Sequence, residues 1–278
     1  MTVAELERNI SNGFRSAGFA NPGFEARQLL LPILTPVRFV RADENQVSEE
    51  QSKMAEHWLS ERLRGIPLAY LSGRKGFYKS EFQVRRGVLV PRPETEHVVE
   101  EALARVQKFN VQNFADLGCG SGCLGISLAK ELPLARLWAV DMSSIACEVT
   151  TLNAIELGVS GRTRVVESSV ESWEPSVQFE LIVANPPYIT LGDPDVQKSV
   201  HDFEPHQALY SGPNGLEAIR TWTTWSSRHL VPGGVFVCEF GSTQASAVAE
   251  IMVKLNFDAI QFVKDLAGHD RVVSGIKR

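Results

Sequence analysis

The stretch ADLGCGSGCLG, residues 115–125, sets Gly118, Gly120 and Gly122 between an apolar run and a helix-like run. Glycine takes positive φ without a Cβ penalty and lets a ligand approach the backbone. The first N–H groups of a helix that follows then face that ligand. A dinucleotide fingerprint has the spacing G-x-G-x-x-G. Here the third glycine comes one residue early and Cys123 stands in its place. The loop is therefore tighter than a pyrophosphate site needs. Asp116 closes the apolar run, and a carboxylate there suits a ligand's ammonium or sulfonium better than a phosphate.

The next strand-like run, RLWAVD, ends in Asp141, 19 residues beyond Gly122 (141 − 122). An acid at that place can take both ribose hydroxyls. Glycine loop, ribose acid and acidic first strand together point to S-adenosylmethionine rather than NAD. Beyond them, strand-like and helix-like runs alternate to the C-terminus: RTRVVES, FELIVAN and GGVFVCEF as strands, NGLEAIRTWTTWSSRHL and STQASAVAEIMVKLN as helices, and a tail with two more strands. Such alternation predicts an α/β domain, a doubly wound, mostly parallel sheet of seven strands, over 94–278.

Upstream, residues 1–65 read as helices. Thr2 with Glu5 and Ser48 with Gln51 make capping boxes, Asn21-Pro22 caps a second helix, and Val3, Leu6, Ile10 and Phe14 recur at helical spacing. This small helical domain carries no catalytic cluster, so its expected role is packing or substrate recognition. Residues 66–93 read as a β-hairpin linker, with Phe82, Val84, Val88 and Val90 as strand positions around an Arg86-Gly87 turn. Phe77 and Tyr78 read as hairpin packing.

The run LIVANPPYIT, residues 181–190, ends a strand in an amide, two prolines and a phenol. Prolines have fixed φ and no N–H, so their carbonyls are held in place, and Asn185 adds a side-chain acceptor. Convergent acceptors suit a substrate NH2 group. Tyr188 offers a face for stacking on a planar amide and for a nearby sulfonium. The expected catalytic and substrate-binding set is Asn185, Pro186, Pro187 and Tyr188, at the same sheet rim as Gly118 and Asp141.

With 278 residues, 44% hydrophobic and 22% charged, the chain has ample material for a core. A formal net charge of −5 and the lack of a basic run lean against direct nucleic-acid binding. Cys119, Cys123, Cys147 and Cys238 form no C-x-x-C pair, and the six histidines show no metal spacing, so no metal is expected. No apolar run approaches a membrane span and no leader pattern opens the chain, which reads as a reduced, soluble, cytoplasmic monomer.

DLGCGSG, AVD and NPPY resemble class I, Rossmann-like methyltransferases that act on a planar nitrogen. VLVPRPETE (88–96) with FEPHQALYSGPNGL (203–216) resembles the PrmC/HemK family in particular. The resemblance implies methyl transfer to the glutamine side-chain amide of the Gly-Gly-Gln motif in peptide chain release factors, which would be the protein partner. It implies that Gly118, Cys119, Gly120, Ser121, Gly122 and Asp141 hold S-adenosylmethionine, with Asn185 near it and Ser169 and Val170 near its adenine. It also implies that Arg92, Glu94 and Glu96 lie beside the substrate pocket; by themselves these residues read as a helix start with acids in the first turn. A glutamine methyltransferase of a ribosomal protein and a DNA adenine methyltransferase remain open as alternatives.

Overall fold

In chain order the helices are α1 (Val3–Ser16), α2 (Pro22–Leu30), α3 (Glu49–Leu63), α4 (Leu68–Ser72), α5 (Glu96–Val106), α6 (Cys123–Glu131), α7 (Ser144–Glu156), α8 (Lys198–Phe203), α9 (Glu217–His229) and α10 (Ala245–Lys254). The strands are β1 (Arg74–Phe77), β2 (Ser80–Gln83), β3 (Asn113–Leu117), β4 (Arg136–Asp141), β5 (Thr163–Glu167), β6 (Phe179–Ala184), β7 (Leu230–Glu239), β8 (Phe257–Lys264) and β9 (Asp270–Lys277). The computed structural model describes residues 1–34, 39, 42–107 and 109–278. They fall into two compact units, Met1–Gly73 with Gln197–Phe203, and Arg74–Val196 with Glu204–Arg278.

The first unit is helical. Val3, Leu6, Ile10 and Phe14 of α1 are buried against Ala26, Leu29, Leu30 and Ala55, one stripe of an amphipathic helix meeting its neighbours. Both capping boxes form: Thr2 and Glu5 exchange side-chain bonds with each other's N–H, and so do Ser48 and Gln51. Asn21 makes no side-chain cap bond. Pro22 at the first helical position presets the turn there.

The second unit opens with the β1–β2 hairpin, in which Phe77 pairs with Ser80 across a Tyr78-Lys79 connection, and Tyr78 sits at φ 52. The hairpin turn is therefore at 78–79 and not at Arg86-Gly87. Val84, Val88 and Val90 are buried but lie in irregular chain. Val88 packs on Ala146 and Val149 of α7, so its burial comes from chain lying on a helix, not from a pleat. Phe77 meets Phe82 edge-on in the main core.

Among the described residues the large sheet has seven strands in the order β5-β4-β3-β6-β7-β9-β8. The first five are parallel, and β9 runs antiparallel to both β7 and β8. The inner strands are buried on both faces, Phe114–Leu117 and Leu181–Ala184 throughout, as a parallel sheet covered by helices requires. From β3 the chain winds outward to β4 and β5, then returns to β6 on the other side of β3. The switch point therefore lies between β3 and β6, where ligands of such sheets bind. Leu117 is level with Val140 on one side and Ala184 on the other. Gly118, Asp141 and Asn185 thus leave the sheet at one rim, on neighbouring strands spaced about 4.8 Å apart. Among the described residues no helix is long and apolar enough to cross a membrane.

Candidate active site

The glycine loop is held from beneath. Gly118 N–H and Cys119 N–H both donate to the Val140 carbonyl, at 2.8 and 2.9 Å. Gly118 has φ +69, and a Cβ there would lie 2.4 Å from the Trp222 ring. Gly122, at φ +78, opens α6, and its Cβ would lie 2.7 Å from Ile126. Neither position accepts a side chain. From α7, Thr150 donates to the Gly120 carbonyl at 3.0 Å and Asn153 Nδ2 to the Ser121 carbonyl at 2.8 Å. The loop is a fixed turn.

Two carboxylates flank it. Asp116 Oδ2 accepts from Gly125 N–H in the first turn of α6 at 2.8 Å, and the residue is 1% exposed. Burial pushes its carboxyl up to about 7, against the Gly125 bond and with help from the nearby charge of Asp141. Asp141 accepts from Gly120 N–H through Oδ2 and from Ser143 N–H through Oδ1, both at 2.9 Å. Burial raises its carboxyl too, opposed by those backbone bonds. Each Asp141 oxygen keeps a lone pair for a further donor.

Asn185 follows β6. Its Nδ2 donates to Thr95 Oγ1 at 3.0 Å, and Thr95 Oγ1 donates to Glu239 Oε2 at 2.6 Å. Tyr188 donates its phenol proton to Glu239 Oε1 at 3.0 Å. The Glu239 carboxyl is raised by burial, against the bonds from Thr95 and Tyr188, and the Tyr188 phenol is raised first by the charge of Glu239 and then by burial. Among the described residues nothing donates to Asn185 Oδ1.

A cavity of about 230 Å³ opens at this rim. Of the residues expected at the site, Arg92, Asp116, Gly118, Cys119, Gly120, Ser121, Asp141, Ser169, Val170, Asn185 and Pro187 line it. Gly122, Pro186, Tyr188 and Glu94 do not. Gly122 is taken up in the turn into α6, and Pro186 is buried. The Tyr188 ring is turned to Glu239 and Gly241, away from a stacking position in the cavity. Glu94 is exposed in a short turn before α5. Arg92 lines the cavity with its guanidinium tied to Glu204 at 2.6 Å; the buried Glu204 carboxylate also accepts from Val90 N–H. This clasp joins segments 87–92 and 205–208, which both line the cavity. Thr95, Glu239, Met142 and Trp222 were not found from the sequence. Met142, next to Asp141, and Thr95, inside the VLVPRPETE run, had a local signal.

The lining carries the carboxylates of Asp116, Asp141 and Glu171, and among the described residues its one cation is the paired Arg92. A cationic ligand fits that charge set and a polyphosphate does not.

Comparison with known proteins bears on the whole chain. Residues 5–73 match the PrmC N-terminal domain family and residues 99–203 the methyltransferase small domain family. The release factor glutamine methyltransferase of Koribacter versatilis is 35% identical over 281 residues, covering 100% of this chain and 99% of its own. That of Caulobacter vibrioides is 36% identical over 281 residues, covering 100% and 97%. The T. thermophilus 16S rRNA N2 G1207 methyltransferase, solved with AdoMet and guanosine, superposes with a TM-score of 0.53 over 74% of this chain and 50% of its own. At 19% identity that match speaks to the fold alone.

Proposed function

The chain belongs to the release factor glutamine methyltransferase family, and from that premise we propose that Asn185 and the Pro186 carbonyl hold the glutamine amide of a release factor's Gly-Gly-Gln motif for N-methylation. The protein is an S-adenosylmethionine-dependent methyltransferase acting on a release-factor glutamine. The observation that carries the site assignment is that Asn185, Gly118 and Asp141 open onto one cavity from adjacent strands.

When bound, S-adenosylmethionine supplies a methyl group on a cationic sulfur. The acidic lining suits it: Asp141 would take the ribose hydroxyls, Asp116 the cationic end, and Ser169 and Val170 the adenine. The chain's own contribution is to orient the nucleophile. An amide nitrogen is a poor nucleophile because its lone pair is delocalised. Acceptance of one N–H by Asn185 Oδ1 and of the other by the Pro186 carbonyl turns the lone pair out of conjugation. These bonds strengthen as positive charge grows on nitrogen, so they favour the transition state over the ground state. Fixed placement contributes the rest. The proton leaves after transfer, and no general base is required.

Residues 1–65 serve substrate recognition in this reading, 66–93 link, and 94–278 carry out transfer. Arg92 borders the substrate and Glu94 the approach to it. The protein acts as a cytoplasmic monomer without nucleic-acid contact; the net charge of −5 supports the last of these.

Incubation with tritiated S-adenosylmethionine and, in parallel, release factor, a ribosomal protein fraction and duplex DNA tests the substrate. Label is expected in the release factor; label in either other fraction instead overturns the assignment. Asn185→Ala should lower turnover at least 100-fold, the scale of a lost transition-state hydrogen bond, while cofactor affinity stays within a few-fold.

A further inference from the structure

Asn185 can accept a substrate N–H only with Oδ1 turned to the cavity, yet a side-chain amide is nearly the same shape when flipped. In the flipped form two N–H groups would face the two N–H groups of the substrate. Nothing within Asn185-Pro186-Pro187-Tyr188 selects one form. The selection comes from residues far away in the chain.

A threonine hydroxyl has one proton, and an ionised carboxylate only accepts. With Glu239 ionised, the proton of Thr95, whose Oγ1 lies 2.6 Å from Glu239 Oε2, goes to that carboxylate. Its oxygen then has only lone pairs for Asn185, which must present Nδ2. The phenol proton of Tyr188 goes to the other Glu239 oxygen, which ties down the far end of the same loop. Thr95 and Glu239 are 3% and 1% exposed, so water does not compete for these bonds. Glu239 ends β7 beside the end of β6, with Cys238 level with Ala184. Arg271 and Glu94 act on Glu239 by their charges, and the Cys238 and Cys123 thiols lie close to it. Were Glu239 protonated, it could donate to Thr95, and Thr95 could then donate to Asn185 Oδ1, turning Nδ2 into the cavity.

We propose that Thr95 and Glu239 are positioning residues that lock the Asn185 amide in its accepting orientation, with ionised Glu239 setting the direction of every hydrogen bond in the chain. The proposal rests on the reading that Asn185 binds the substrate amide. Glu239 acts only through Thr95 and Tyr188, and loss of its charge costs the substrate its Asn185 Oδ1 acceptor although Glu239 itself makes no substrate contact.

The test compares Glu239→Gln, Thr95→Val, Thr95→Ser and Tyr188→Phe with the wild type at saturating S-adenosylmethionine, with release factor as substrate. Glu239→Gln and Thr95→Val should each lower kcat at least tenfold while the Kd for S-adenosylmethionine, from calorimetry, moves less than twofold. Thr95→Ser, which keeps the hydroxyl, should retain at least half of kcat. Wild-type kcat should fall on the acid side as Glu239 takes up a proton. Tyr188→Phe removes a bond to the ionised carboxylate and should move that limb to higher pH. A readout independent of turnover is hydrogen exchange of the Asn185 side-chain NH2 in protein with 15N-labelled asparagine. Exchange should be slow in wild type and Thr95→Ser and fast in Thr95→Val. Should Glu239→Gln not fold, the threonine pair and Tyr188→Phe decide the matter. Thr95→Val with wild-type kcat and slow Asn185 exchange, or Tyr188→Phe with an unmoved acid limb, overturns the lock. A wild type that leaves release factor unlabelled ends the functional reading instead, and the exchange experiment still judges the lock.

Discussion

Replacing Asp116 by asparagine removes a buried negative charge while keeping an acceptor for Gly125 N–H. In the folded protein the carboxyl sits at about 7 against 3.8 for a solvated one, chiefly through burial. The span is 3.2 pH units (7 − 3.8), which at 1.36 kcal/mol per unit amounts to about 4 kcal/mol. The folded state holds this proton more tightly than the unfolded state. Stability owed to the group is therefore full below about pH 3.8, is lost as pH rises to about 7, and is constant above. Relaxation and water penetration reduce such penalties, so Asp116→Asn should be roughly 2–4 kcal/mol more stable than wild type at pH 8 and equal to it near pH 4. Urea unfolding followed by the fluorescence of the five tryptophans measures this. Function should move the other way. A cation beside Asp116 favours its ionised form, so wild-type affinity for S-adenosylmethionine should tighten as pH rises through about 7. The variant should bind at least tenfold more weakly at pH 8, the scale of one charged hydrogen bond, and without that pH dependence. Parallel stability curves for variant and wild type from pH 4 to 8 would refute the buried-charge argument. An equal loss of stability at every pH would show that Asp116 serves as a cap for α6 and nothing more.

Asp141→Ala frees Gly120 N–H and Ser143 N–H, and on the proposal that Asp141 takes the ribose hydroxyls, calorimetry should show S-adenosylmethionine binding at least tenfold weaker; unchanged affinity would remove Asp141 from the site. Glu204→Ala leaves Val90 N–H and the Arg92 guanidinium without their partner. Because the Arg92 side chain is 32% exposed, the loss should be about 2–3 kcal/mol, below that of a fully buried pair. Scanning calorimetry should record this as a Tm lowered by several degrees, and Glu204→Gln should recover part of it.

Local chemistry in the sequence determined the sheet, the glycine turn and the caps of α1 and α3. Each depends on residues at most a few positions apart: apolar strand runs, glycines where the chain needs positive φ, a hydroxyl three residues before an acid or amide. For the same reason Asp141 and Asn185 could be placed at one rim, since strand ends in a parallel sheet align. Where local pattern and packing diverged, the sequence misled. Valines at 84, 88 and 90 looked like strand positions because irregular chain can bury its apolar side chains too, Val88 against α7. Tyr188 looked like a stacking surface, but its hydroxyl is drawn to a carboxylate that only the fold brings near. Only the tertiary structure decided which way Asn185 faces. Its orienting partners stand 90 residues away at Thr95 and, from Thr95, a further 144 at Glu239. No spacing rule links them, because a hydrogen bond between a strand end and a helix start depends on how the sheet stacks them, not on their separation along the chain.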